Sequence, residues 1–234
     1  MSTNEPPKTL RLIADSFRSL LQPPFRILVL LSLLIAVTST SFSEVPTGTE
    51  MALGIVLFVI SLYVQIAFIL AAGKEDPEKS ADAWLRGAVR RRCLWRFIGT
   101  SLVVVLALFA GALLLVIGVF LAGALVGLAW SATVLERRLP MDAITRSARL
   151  ANTARVPVGV LFGLLVLVPS GATQAVGALG WIDDLGAVWP ACLAAAEVLA
   201  SAGTIGLTRL FVALGGSETP PLDRLAPPKP APPP

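Results

Sequence analysis

The run 97–135, FIGTSLVVVLALFAGALLLVIGVFLAGALVGLAWSATVL, carries no charged side chain over 39 residues. At 1.5 Å per residue, one straight helix of that length would measure roughly 58 Å, nearly twice the ~30 Å thickness of a bilayer's hydrocarbon core. The spacing therefore predicts two membrane spans, 97–116 and 118–135, joined by a tight turn. Gly118 lies closest to the midpoint and is the expected breaker.

Outward from this run, further uncharged stretches occupy 51–73 and 156–182, and another at 185–208 is interrupted only by Glu197. They read as spans over 51–73, 156–174 and 189–214, with a first span over 25–42 whose second half dissolves into Thr38-Ser39-Thr40-Ser41. Composition agrees. Of 234 residues, 55% are hydrophobic and 15% charged, with a mean hydropathy of +0.78; a soluble domain places about a quarter of its residues in charge. The expected fold class is all-α, a polytopic membrane helix bundle with six transmembrane helices.

Charge sets the orientation. All 19 Lys and Arg residues fall before or at the start of the first span, in 74–96, in 136–155, or from Arg209 onward. The opposite loops, 43–50 and 175–188, carry only Glu44, Glu50, Asp183 and Asp184. Because basic loops stay on the cytoplasmic side, the expectation is a multi-pass protein of the cell membrane with both termini cytoplasmic. Residues 1–9 are polar and read as a disordered N-terminus. The domain proper is 10–214. The tail, 215–234, has eight prolines and reads as a disordered, cytoplasmic, proline-rich end.

Each basic segment also contains an amphipathic pattern. Leu10, Ile13, Phe17, Leu20 and Leu21 recur at helical spacing before Pro23-Pro24. Trp84, Leu85, Ala88, Val89 and Arg92 share a face after Ser80, and Ile144, Ala148 and Ala151 share one after Pro140. The fold expectation is thus three hairpins, each preceded by an interfacial amphipathic helix. Residues 82–88 align with 142–148 at an offset of 60, and the first unit matches through Ile13, Ser16 and Arg18 against Ile144, Ser147 and Arg149.

The segment with Glu136, Pro140, Asp142-Ala143 and Arg146-Ser147-Ala148-Arg149-Leu150, followed by a new span, resembles a motif of bacterial six-span membrane proteins. These are similar to the membrane domain attached to some glycerophosphodiester phosphodiesterases. The resemblance implies a six-span fold over about 10–214 and no activity, since the chain has no room for the catalytic barrel of the fused enzymes.

Composition excludes several chemistries. With no histidine, there are no imidazole bases, zinc imidazoles or histidine-ligated haem. Cys93 and Cys192 are too far apart in sequence for a redox pair and are expected on opposite sides of the bilayer. No catalytic residue, metal site or cofactor is expected, and the protein reads as non-enzymatic. The expected partners are membrane lipids and another membrane protein, without nucleic acid, because the basic residues flank apolar runs.

Two sets of residues carry functional readings. Glu197, Ser201, Thr204 and Thr208 fall on one helix face and form a polar stripe inside the last span. This stripe either lines a translocation path or binds a partner helix; in the plainer reading, Glu197 sits near the head groups and the hydroxyls bond their own helix. Arg86, Arg90, Arg91, Arg92 and Arg96 form the densest basic patch, suited to anionic lipid head groups or serving orientation alone. The Gly123/Gly127 and Gly159/Gly163 pairs suit close helix packing. The leading reading is a scaffold or accessory component of a membrane complex, or a lipid-organising protein. The alternative is a small transporter or transporter subunit using the Glu197 face.

Overall fold

The computed structural model describes residues 9–40, 48–74, 79–112, 115–178 and 188–216, and the regular elements among them are all helical. The expected disordered ends, and most of the 43–50 and 175–188 loops, lie outside the described residues.

Helices α1 (Thr9–Leu20) and α2 (Pro23–Thr40) meet at 82°. Pro23 and Pro24 open α2, where a missing N–H costs no helical hydrogen bond. After α3 (Gly48–Lys74) comes α4 (Ala81–Arg90), capped by Ser80, whose hydroxyl accepts from the Ala83 N–H at 3.3 Å. Then follow α5 (Leu94–Ala112), α6 (Leu115–Val126), α7 (Ala129–Leu135) and α8 (Pro140–Ala151). Helix α9 (Arg155–Val160) passes through a π-helical segment (Leu161–Leu167) into α10 (Val168–Ala178), and α11 (Val188–Ala213) closes the bundle.

Among the described residues, five stretches are long and apolar enough to cross a membrane: Met51–Lys74, Leu94–Gly111, Gly118–Leu135, Arg155–Thr173 and Val188–Ala213. The bent α1–α2 pair is a sixth candidate. The protein is therefore an all-α, multi-pass membrane bundle with five to six spanning helices.

The hairpin within the decisive run does not turn at Gly118. Helix α5 ends at Ala112 and α6 begins at Leu115. Gly118 is a contact point: a Cβ on Gly111 would lie 2.6 Å from its carbonyl oxygen, so the two glycines let the arms touch. A further break in this run falls at Gly127 and Leu128, between α6 and α7. Ser147 on α8 serves that break from outside. Its Oγ accepts from the Leu128 N–H at 3.1 Å and donates to the Leu125 carbonyl at 2.7 Å. Backbone groups freed inside an apolar bundle need such partners.

Proline shapes the next span. In the π-helical segment the Val168 N–H bonds to the Gly163 carbonyl, five residues back. These widened turns lie just upstream of Pro169, whose ring would collide with the carbonyl four residues earlier in a regular helix. The helix continues to Ala178, beyond the expected end at 174. Both expected glycine pairs lie in the contact between α6 and this span. A Cβ at Gly123 would come within 2.5 Å of the Phe162 ring, and one at Gly163 within 2.1 Å of the Phe120 ring. The glycines are the sockets for those two rings.

Burial is uneven along the spans. On α3, Val64 and the continuous stretch Ile66 to Ala72 are buried, whereas Met51, Leu53, Ile55, Val56, Phe58 and Ile60 are exposed. On α5, Phe97, Thr100 and Val104 are buried, but Leu102, Val105, Leu106 and Phe109 are exposed. The dense core lies at the end of the bundle where the basic segments sit. There Thr100 and Thr133 share a hydrogen bond of 2.8 Å, and Ser131 and Thr208 one of 3.1 Å. Apolar side chains at the other end suit lipid as solvent.

The three short helices pack in a common way. Helix α4 lies on α3, α8 on α7 and α1 on α11. Ser16 of α1 fits against Gly206 of α11, where a Cβ would meet its Oγ at 2.8 Å. Shifted by 131 residues, α1 and α8 share the same degree of burial at 11 of 12 positions; Leu12, Ser16 and Leu20 match Ala143, Ser147 and Ala151. For α4 the matching shift to α8 is 59, pairing Trp84 and Ala88 with Ala143 and Ser147. The local alignment at 60 would pair buried Trp84 with half-buried Ile144, so sequence likeness there is one residue out of structural register. Val89 and Arg92, expected on the apolar face of α4, are exposed.

Candidate functional site

The arginine patch divides in two. Arg91 donates through Nη1 to the Val134 carbonyl at 2.7 Å, and Arg96 donates to the Arg137 carbonyl. Both therefore serve carbonyls at and just beyond the C-terminal end of α7, groups that a helix end leaves without intrahelical donors. Arg92 is exposed and adopts a left-handed backbone, φ 48°.

Arg86 and Arg90, one turn apart on α4, point to a different place. With Leu31 of α2, Ile60 and Tyr63 of α3, and Leu85 and Val89 of α4, they line a groove of about 440 Å³. Its wall is apolar apart from the two arginines and the tyrosine. Arg86 is held by Asp82 at 2.6 Å, one turn back on the exposed side of α4. Trp84 anchors the helix from behind: its indole is buried, with the Lys79 ammonium 5.3 Å from the ring centroid. Trp95 is 80% exposed beside this region, a position suited to the polar–apolar boundary of a membrane.

A second charged cluster joins Glu136 and Arg146, residues that the sequence marked only as parts of a motif. Glu136, 3% exposed, follows α7 and accepts from Arg138 and, at 3.2 Å, from Arg146 of α8. Arg146 also donates to the Gly215 carbonyl at 3.0 Å, so one guanidinium joins α7, α8 and the end of α11. The available sequence signal was an acidic residue directly followed by Arg137 and Arg138. Its partners at +2 and +10 follow no helical spacing.

The polar stripe of α11 is divided among neighbours. Glu197 accepts from Ser32 of α2 at 3.2 Å. Ser201 is buried, and Thr204 donates to the Ala200 carbonyl at 2.9 Å. Thr208 donates to the Thr204 carbonyl at 2.8 Å and meets Ser131 of α7. The two ends of the stripe thus face different helices. Glu197 does not line the α4 groove, nor two further grooves among the described residues, one between α6 and α9 and one between α10 and α11.

Cys93 is buried beside Arg91, Arg96 and Arg137; burial pushes its thiol up, outweighing the lowering by those guanidinium groups. Among the described residues, no three Asp, Glu or Cys side chains gather in a way that could hold a metal ion. No protein-family model, curated protein or solved structure matches this chain.

Proposed function

We propose that this is a non-enzymatic protein of the cell membrane that gathers anionic lipid at its cytoplasmic face, acting as a lipid organiser or accessory to a membrane complex. The observation that carries the reading is the groove between α2, α3 and α4. It offers an apolar wall for an acyl chain and two guanidinium groups, Arg86 and Arg90, for a phosphate. In this reading the chain crosses six times, with α2 as the first span and all basic segments cytoplasmic. Three units of short amphipathic helix plus hairpin close into a ring, each short helix packing on the last span of the preceding unit. The matched burial of α1 and α8 supports that arrangement. The resemblance to the phosphodiesterase-linked membrane domain rests on Glu136 to Leu150, whose Glu136, Arg146 and Ser147 have packing roles here.

The Glu197–Ser32 bond supports reading Glu197 as a joint between α11 and α2 in preference to a transport path. The lipid reading is tested in nanodiscs containing spin-labelled phosphatidylglycerol or phosphatidylcholine. The wild type should immobilise the anionic lipid preferentially, and Arg86→Gln with Arg90→Gln should reduce that preference. Equal immobilisation of both lipids by the wild type would refute it.

A further inference from the structure

A second groove lies where the sequence offered only a glycine pair suited to helix packing. It measures about 540 Å³ and runs between α6 and the start of the next span. Leu121, Ala124 and Leu125 form one wall, Val156, Val160 and Leu164 the other. Two small residues make it deep. A Cβ on Gly159 would reach the Ala124 Cβ only at 3.5 Å, so the floor here is ordinary contact with no side chain above it. Phe120 also lines the groove, with its ring docked on Gly163, while the Phe162 ring is docked on Gly123.

One charge stands among these lining residues, Arg155, at the basic end of the groove. Its guanidinium is oriented by Asn152, whose Oδ1 accepts from Nη2 at 2.6 Å and from Nε at 3.2 Å. Of an arginine's five N–H donors, two are so used and three remain for a ligand. From Arg155 to Leu164 the span rises roughly 13 Å, close to the ~15 Å depth of one leaflet's hydrocarbon.

We propose that this groove binds one anionic phospholipid from the cytoplasmic leaflet, with an acyl chain between α6 and α9 and the phosphate on Arg155. A fixed cation at one end of an apolar trough of leaflet depth matches a molecule with an anionic head and an apolar chain. A soluble anion would gain nothing from the trough, and an apolar molecule nothing from Arg155. The site shares no lining residue with the α4 groove and stands independently of it.

The test is native mass spectrometry of the full-length protein, delipidated and titrated with phosphatidylglycerol or phosphatidylcholine. The wild type should bind one phosphatidylglycerol that Arg155→Gln weakens about tenfold, a difference the method resolves readily. Gly159→Leu should abolish that one adduct. Leu121→Trp fills the same trough from an exposed position on α6 and should do likewise if Gly159→Leu does not fold. Arg86→Gln with Arg90→Gln should leave this adduct in place. In the Arg86→Gln with Arg90→Gln background, where the α4 groove no longer contributes, a remaining adduct that is unaffected by Arg155→Gln, equally strong for phosphatidylcholine, or retained in both groove-filling variants would overturn the assignment.

Discussion

The hydroxyl of Ser147 donates to the carbonyl of Leu125 at 2.7 Å, tying α8 to the break between α6 and α7. The same oxygen accepts from Leu128, so one side chain serves two buried backbone groups. Ser147→Ala should therefore cost about 1–3 kcal/mol, the usual penalty for orphaned buried polar groups. Ser16→Ala, at the matching position of α1, removes only a bond within its own helix, to Leu12, and should cost less. Thermal unfolding of both variants in detergent checks the order; equal stability of Ser147→Ala and wild type would remove the role assigned to Ser147.

Glu136 is buried between Arg138 and Arg146. Glu136→Gln leaves those guanidinium groups without their counter-charge and should destabilise by about 3 kcal/mol. Adding Arg146→Met should recover part of that loss, because the remaining mismatch is then smaller. Denaturant titration measures both, and a double variant no more stable than Glu136→Gln would show that the two charges are not coupled.

The contact between α6 and the following span depends on glycine where an aromatic ring arrives. Gly163→Ala places a methyl 2.1 Å from the present Phe120 ring and should lower stability by about 1–3 kcal/mol. Gly171→Ala meets nothing within 4 Å and should be neutral or slightly stabilising through helix propensity. Comparable melting temperatures for the two variants would contradict the socket account.

Burial raises the pKa of Cys93. Its thiolate is therefore scarcer in the folded protein than in the unfolded chain at any pH up to and through the usual thiol range. Labelling of Cys93 by a water-soluble maleimide at pH 8 should be slow when folded and fast after denaturation. The sign for stability follows: the raised pKa contributes below the unfolded thiol value and that contribution is lost as pH climbs through the folded one. In a Cys192→Ser protein, which removes the exposed second thiol, rapid labelling of native Cys93 at pH 7 would contradict the burial.

Much of the architecture was legible because the bilayer imposes a length on apolar runs. The 39-residue run could only be a hairpin, and Gly123, Gly127, Gly159 and Gly163 mark a close contact by spacing alone. The turn was misplaced because glycine has two uses in a membrane: it breaks helices and it lets them touch, and Gly118 does the second. Ser147 was visible in the motif, but its role was not, because a serine on an amphipathic helix reads as surface until the broken backbone of another helix is placed beside it. Arg91 and Arg86 look alike in sequence; only the position of α7 separates a carbonyl donor from a groove-lining cation. Arg155 was legible only as a charge that sets orientation, since its groove depends on how α6 and α9, distant in sequence, pack together.

The account rests most heavily on apolar helices that cross the bilayer with every basic segment on the cytoplasmic side. Single cysteines placed at Gly48, Lys79, Asp142 and Asp183, in a Cys93→Ser, Cys192→Ser background, can be probed with a membrane-impermeant maleimide on intact cells. Gly48→Cys and Asp183→Cys should react at once, and Lys79→Cys and Asp142→Cys only after permeabilisation. Labelling of Lys79→Cys from outside, or protection of Asp183→Cys until the cells are opened, would contradict it.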